Sequence, residues 1–483
     1  MLPNSFNFLL FFAVVIGLYY VVPHRWRWIL LLVGSYYFYS TFDPQYLLLL
    51  AATTLVAYGF GSALAKPMKQ GVRKLVLTIG LLGELAALLV FKYFDFLMDS
   101  LGPVLTSLEI ISEAVALPHL DLVLPVGLSF YTFSCMSYLI DAYRGTLAPE
   151  RHLGKLAVYV AFFPKLLAGP IERAPEFLAQ LAKPIRFDKV AAIAGIQLVI
   201  WGLFKKVVIA DRLAVFVDAG FTNPAFQSPI NVLVAVYFYA FQIYCDFSGY
   251  SDIAIGGALI LGIRLMENFR RPYMATSVPE FWNKRWHLSL MRWFRDYLYI
   301  PLGGNRVSAF RRYLNVMIIF LVSGLWHGAN WTFVIWGGLN GLYQVIYMII
   351  EAPRKWLGKL LRLPKALSTF LSVLLTFHLV GLAWVFFRAS SLDNALSVLN
   401  RIWGALPQFP MLISSYNWTG EFYLSIGLIA FLMGVEILDE RKSMSRRLAE
   451  GPAIIRWAFY YAVGFSLLVI GMWGTQGFVY MNF

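Results

Sequence analysis

From Tyr313 to Ile350 the chain reads YLNVMIIFLVSGLWHGANWTFVIWGGLNGLYQVIYMII, with one side chain of the Asp, Glu, Lys, Arg or His kind, His327. About 20 apolar residues suffice for one helix across a bilayer, so a run this long reads as two spans meeting at a turn. An ionisable group inside such a run is costly to keep there and is read first as functional. Other apolar runs recur at 5–22, 28–41, 46–65, 75–97, 122–143, 188–210, 230–262, 367–387, 422–438 and 455–474. The chain is 59% hydrophobic and 14% charged, against about 45–50% and 25% for soluble domains. A soluble globular fold is therefore excluded. The expected fold is all-α, a polytopic transmembrane helical bundle forming a single membrane domain over residues 1–483. The first 22 residues lack the basic start and small-residue cleavage site of a signal peptide, so they are expected to remain as a span.

The loops sort themselves by charge. Lys and Arg gather in 24–27 (HRWR), 66–74 (KPMKQGVRK), 144–155, 305–313 (NRVSAFRRY), 352–365 (APRKWLGKLLRLPK) and 439–447 (DERKSMSRR). The loops 42–45, 98–121 and 388–421 hold few or none; 98–121 carries Asp99, Glu109, Glu113 and Asp121 instead. The positive-inside rule then puts the basic loops in the cytoplasm and the others, with both termini, in the periplasm. This pattern accounts for a net charge of +14 without a nucleic-acid partner. Cys135 and Cys245 both lie in apolar runs, and no disulfide is expected.

The middle of the chain breaks this regularity. Residues 156–170 (LAVYVAFFPKLLAGP) are too short and too interrupted for a span and read as re-entrant. Lys205 and Lys206 sit in one apolar run, Asp246 and Asp252 in another. Residues 279–300 interleave Trp282, Trp286 and Trp293 with Lys284, Arg285, Arg292 and Arg295, the pattern of an amphipathic helix at the inner interface. Irregular backbone at membrane depth is tolerated only inside protein or beside a cavity, so the site is expected in this third.

His327 is flanked by Gly324, Trp326, Gly328 and Asn330, which favours a reaction or transport site over a packing histidine. His378, in LLTFHLVGLAW, has no such surroundings and reads as packing. His287 is either a second catalytic or donor-binding group or a water-facing residue of an interfacial helix. Asp246 either orients a histidine or binds a cation, or else it marks a locally bonded helix break. No Walker loop, dinucleotide fingerprint, G-x-S-x-G elbow or H-E-x-x-H motif is present. Two distant histidines are too few for zinc, so no metal is expected. Proton abstraction from a hydroxyl is chemistry such histidines can perform without one. The competing reading is a proton-coupled transporter or flippase of a polysaccharide precursor, with Glu84, Asp95, Asp141, Asp246 and His327 as relay groups. The absence of an inverted repeat counts against it.

Six stretches carry a family resemblance: LPVGLSFYTF (124–133), AGPIER (168–173), DFSGYSDIAIG (246–256), ENFRRPY (267–273), FWNKRWHLSLMRWFRDYLYIPLGGNR (281–306) and GLWHGANWTFVIWG (324–337). Together they resemble the membrane-bound O-acyltransferase family, in its bacterial polysaccharide branch, and mark 120–340 as a motif-bearing catalytic core. The alginate-modifying members resemble it most, although Lys165 stands where a histidine is expected in them. The resemblance implies tilted, re-entrant and interfacial helices around a central tunnel in a bacterial inner membrane. It implies that His327 is the catalytic histidine and His287 the second histidine, with Asp246, Trp326 and Asn330 along the tunnel. Acetyl-coenzyme A is then the acyl donor, with no tightly bound cofactor, and Lys284, Arg285, Arg292 and Arg295 are candidates for its phosphates. The acceptor is an exported polysaccharide, reached through an SGNH-hydrolase-like periplasmic acetyltransferase. Plain positive-inside bias is the competing account of the basic cluster.

Overall fold

The computed structural model describes residues 1–112, 115, 117–441, 452–474 and 477–479. Among them the regular structure is helical throughout. Eight helices are long and apolar enough to cross a membrane: Tyr46–Leu64, Gln70–Ser107, Lys189–Thr222, Pro229–Ile260, Ala309–His327, Trp331–Ile349, Lys365–Arg388 and Gly420–Glu440. Phe6–Val21 and Ala453–Val469 are shorter apolar helices. Five of these helices start on a side-chain cap: Ser5, Asp188, Ser228, Ser308 and Asn330 each accept a first-turn amide with the side chain, satisfying donors that a helix leaves open. Leu48, Phe370 and Leu468 are among many large apolar side chains left exposed on helix flanks, a surface suited to lipid rather than water.

Side-chain contacts divide the loops into two sets. Arg27 bonds the Ile185 carbonyl, Tyr20 that of Ile260, Arg73 those of Ala142 and Tyr143, and Arg144 that of Asp296. In a second group Tyr46 bonds Val123, Trp331 bonds Ser100, Arg388 bonds Asp218, and Arg401 bonds Gln227. The first group touches or borders the basic loops 24–27, 66–74 and 144–155, the second 42–45, 98–121 and 388–421, which are poor in Lys and Arg. Glu113 and most of the 439–447 loop lie outside the described residues.

Three segments differ from the sequence reading. The span expected at 75–97 belongs to a helix running to Ser107, because a π-helical turn at Leu89–Tyr93 carries it on instead of ending it. The loop 388–421 folds into the helices Leu392–Trp403 and Phe409–Ser415; Ala395 and Val398 bury one face of the first. Residues 279–300 are not one interfacial helix. They break into Val278–Glu280, a π turn Phe281–Arg285, the short helix Leu288–Phe294 and a π turn Arg295–Tyr299. Trp282, Trp286 and Trp293 are buried, so the aromatic side of this segment faces protein. Residues 156–174 are buried almost without interruption, with helix only over Leu153–Ala161, in keeping with a re-entrant reading.

Candidate active site

Ala309–His327 and Trp331–Ile349 form a hairpin whose arms touch backbone to backbone. A Cβ on Gly324 would overlap the Phe333 carbonyl, and one on Gly337 the Phe320 carbonyl. Close approach, not helix breaking, is therefore what these glycines provide. The first arm ends on His327, which is 1% exposed. Its ring lies 4.9 Å from those of Trp326 and Trp336 and 5.3 Å from Phe387, centroid to centroid.

His287 reaches the same place by another route. It sits between two broken helical pieces with φ +44°, the left-handed region that a side chain with a Cβ seldom adopts. It is fully buried, and its Nδ1 is 3.0 Å from Asn268 Oδ1. The ring packs edge-on against Phe247 at 4.7 Å. Its centroid is 6.5 Å from that of His327. Thus a segment connected to the basic loops brings one imidazole to another at the far end of a spanning arm. Phe130 and Phe133, on the buried helix Leu128–Arg144, pack against Trp326 on the side of the pair.

Lys92 was not singled out by sequence reasoning. Its ammonium donates to the Trp326 carbonyl at 2.5 Å and Ser129 Oγ at 3.2 Å, and reaches the His327 carbonyl at 3.4 Å. The adjacent Tyr93 donates to the Leu325 carbonyl at 2.9 Å. The π turn thus aims two donors at the open carbonyls of the arm that ends in His327, where a positive charge suits the helix dipole. A lone lysine in ALLVFKYFDFLM (87–98) was the available signal. Asn268 was likewise legible only as part of ENFRRPY.

The other candidates separate. Trp326 lies beside both histidines, 6.1 Å from His287 and 4.9 Å from His327. Asn330 caps the second arm through Thr332 N and donates to the Ser390 carbonyl. Asp246 turns away into a buried ion cluster: Lys206 bonds it at 2.6 Å and Asp211 at 2.8 Å, and Val479 N donates to its other oxygen. Beside it Lys205 pairs with Asp252 at 2.8 Å. The helix repeat explains this split, since Phe247 faces His287 while its neighbour faces the adjoining helix.

Arg285 is engaged by Glu280 and Glu440 and by the Arg271 carbonyl. Burial alone pushes the Glu280 carboxyl up; its bonds from Thr276 and Arg285 outweigh that and hold it below the usual carboxylate range. Arg295 pairs with Asp296, which also takes Arg173. Lys284 and Arg292 are exposed. His378 bonds Tyr237 and the Leu374 carbonyl, the packing role expected of it. Among the described residues no group of three His, Cys, Asp or Glu side chains is arranged to hold a metal.

Residues 151–379 match the family model described as MBOAT, membrane-bound O-acyltransferase family. The chain is similar to a probable alginate O-acetylase of Azotobacter vinelandii, 42% identical over 398 residues, which cover 81% of this chain and 75% of the relative. A peptidoglycan O-acetyltransferase of Helicobacter pylori is 36% identical over 411 residues, 79% of this chain and 74% of that one. A teichoic acid D-alanyltransferase of Bacillus subtilis is 28% identical over 282 residues, 56% of this chain and 70% of that one.

Proposed function

Because the chain belongs to the membrane-bound O-acyltransferase family, and is an O-acyltransferase, we propose that it takes acetyl groups from cytoplasmic acetyl-coenzyme A and passes them outward to an exported polysaccharide. The observation that carries this reading is the buried imidazole pair, 6.5 Å apart. One ring comes from the segment joined to the basic loops, the other from the outer end of a spanning arm. A thioester arriving from the inner side and a hydroxyl arriving from the outer side then need to travel only part of the membrane to meet. Family resemblance gives His327 the central role, as base or acyl carrier, with His287 second. Trp326, Trp336 and Phe387 exclude water around His327, which protects a reactive acyl group from hydrolysis.

At the inner mouth Lys284 and Arg292 are the cations left to meet the phosphates of the donor, with Arg295 shared with Asp296. Arg285 serves the segment's own packing. The acceptor class is a hydroxylated exopolymer, alginate-like on the strength of the relatives' names. The largest loops poor in Lys and Arg, 98–121 and 388–421, are each too short for an independent domain to hold a polymer. The final transfer is therefore assigned to a separate periplasmic acetyltransferase.

Liposomes holding the purified chain, with acetyl-coenzyme A inside and polymer outside, test the reading. Release of coenzyme A that depends on His327, with polymer acetylation appearing when the periplasmic partner is added, is the expected result. Equal turnover by His327→Ala would overturn it. Efficient polymer acetylation by this chain alone would overturn the hand-off.

A further inference from the structure

We propose that Asn268 is a positioning residue that holds His287 as its Nδ1–H tautomer, so that Nε2 is the nitrogen serving the reaction. The proposal rests on the acyl-transfer reading only for what Nε2 does, not for the tautomer itself.

Asn268 is fully buried, and its side chain is fixed from several sides. Its Oδ1 faces the Ser289 amide at 3.3 Å and Ser289 Oγ at 2.9 Å, while Nδ2 donates to Ser251 Oγ at 3.1 Å. A backbone N–H can only donate, so the atom facing it is the amide oxygen, and the orientation of the Asn268 side chain is decided. That same oxygen lies 3.0 Å from His287 Nδ1. An amide oxygen can only accept, so Nδ1 carries the hydrogen. In the neutral ring Nε2 then holds the lone pair. The backbone adds a further tether, since Leu288 N donates to the Asn268 carbonyl at 3.0 Å. Through Ser251 the amide is also tied to the helix Pro229–Ile260, whose Phe247 packs edge-on to the His287 ring. The strained φ of His287 thus has a visible counterpart: the turn that imposes it also brings Nδ1 and both Ser289 donors onto one oxygen. This gives the asparagine of ENFRRPY a task that its sequence context left blank.

The full chain, labelled with ¹⁵N-histidine and reconstituted in lipid, allows the tautomer to be read by solid-state NMR. The spectrum of His287→Gln identifies the His287 signals among those of the six histidines. The expected result is a protonated Nδ1 in the wild type, lost in Asn268→Leu. Acetyl-coenzyme A turnover in that variant should lose about ten- to a hundredfold in kcat, with KM changing less than about twofold. Asn268→Asp keeps an accepting oxygen and should keep the tautomer. Its carboxylate favours the imidazolium, so the acidic limb of its pH–rate profile should move to higher pH. His327 across the site and Lys92 behind it are the other ionisable groups nearby, and both remain in every variant. If Asn268→Leu fails to fold, the Asn268→Asp spectrum and profile decide. A wild-type His287 protonated at Nε2, an unchanged tautomer in folded Asn268→Leu, or an unmoved limb in Asn268→Asp would overturn the proposal. Absence of wild-type turnover with the Nδ1–H tautomer present would remove the transfer reading and leave the positioning intact.

Discussion

The two histidine-bearing segments are held in opposite ways. His327 ends a regular arm whose placement comes from backbone contact through Gly324 and Gly337 and from two donors on Lys92 and Tyr93. His287 lies at the break between two helical pieces, Phe281–Arg285 and Leu288–Phe294. Side chains set its course: Asn268 at the ring, Trp282 on Asn340, Trp293 on the Phe133 carbonyl, and Arg285 between two carboxylates. A backbone-packed arm tolerates change in side-chain chemistry but not in size. A segment held by side chains does the reverse.

The largest effect expected on this contrast is His327→Ala, which should lower acetyl transfer by about 10²–10⁴-fold while the protein keeps its helical content by circular dichroism. Next is Gly337→Val, which should cost about 3 kcal/mol through overpacking and appear as a lowered thermal midpoint in detergent. On the His287 segment the loss of one side-chain bond is what should matter: Trp293→Phe removes the donor to the Phe133 carbonyl and should cost about 1–3 kcal/mol of stability, lowering the midpoint; an unchanged midpoint there would erase the distinction. Lys92→Met removes a buried donor from the end of the His327 arm and should cost about 1–3 kcal/mol, with turnover falling about tenfold as the arm's last turn loosens. Turnover and thermal midpoint both at wild-type values would show that the arm needs no cap.

Smaller effects separate the basic residues. Arg292→Ala should raise KM for acetyl-coenzyme A severalfold, about the worth of one exposed charge contact, at unchanged stability. Arg285→Ala should lower stability more than it raises KM, and the reverse order would return Arg285 to the donor site. The smallest effect is one of pH. Because the folded Glu280 carboxyl is held below its usual range, its contribution is present above the unfolded value and fades as pH falls through the folded one. Thermal midpoints of wild type and Glu280→Gln should therefore converge as the solution is acidified.

The regular half of the molecule was legible because its signals are local. An apolar run of spanning length is read from consecutive residues alone. His327 stood out for the same reason, as an ionisable residue isolated among apolar neighbours. The irregular half was not legible in detail. A π turn adds one residue to a turn without any breaker in the sequence, so 279–300 kept the look of one amphipathic helix and Arg285 the look of a free cation. The polar surroundings of Asp246 point toward the histidines, yet its partner Lys206, which it shares with Asp211, stands 40 residues earlier in the chain. Lys92 was visible as an anomaly, but its target, the carbonyl of Trp326, is a contact between distant parts of the chain.

Around the imidazole pair, Trp282, Trp286, Trp336 and Trp384 are almost wholly buried, and their rings lie 5.0 to 6.4 Å apart. Such a wall is an electrical insulator. A bacterium that energises its membrane loses about 2.3 kcal/mol for each elementary charge that leaks through per 100 mV, so a hydrated hole through an acyl-transfer enzyme would drain the cell. As the acetyl–sulfur bond breaks and the new ester forms, the acceptor hydroxyl's proton returns to the coenzyme A thiolate, so the exchange as a whole moves no net charge against the voltage. In the proposed reaction a carbon fragment moves outward and one proton inward across a wall closed to hydrated ions, and the overall equilibrium is indifferent to membrane potential.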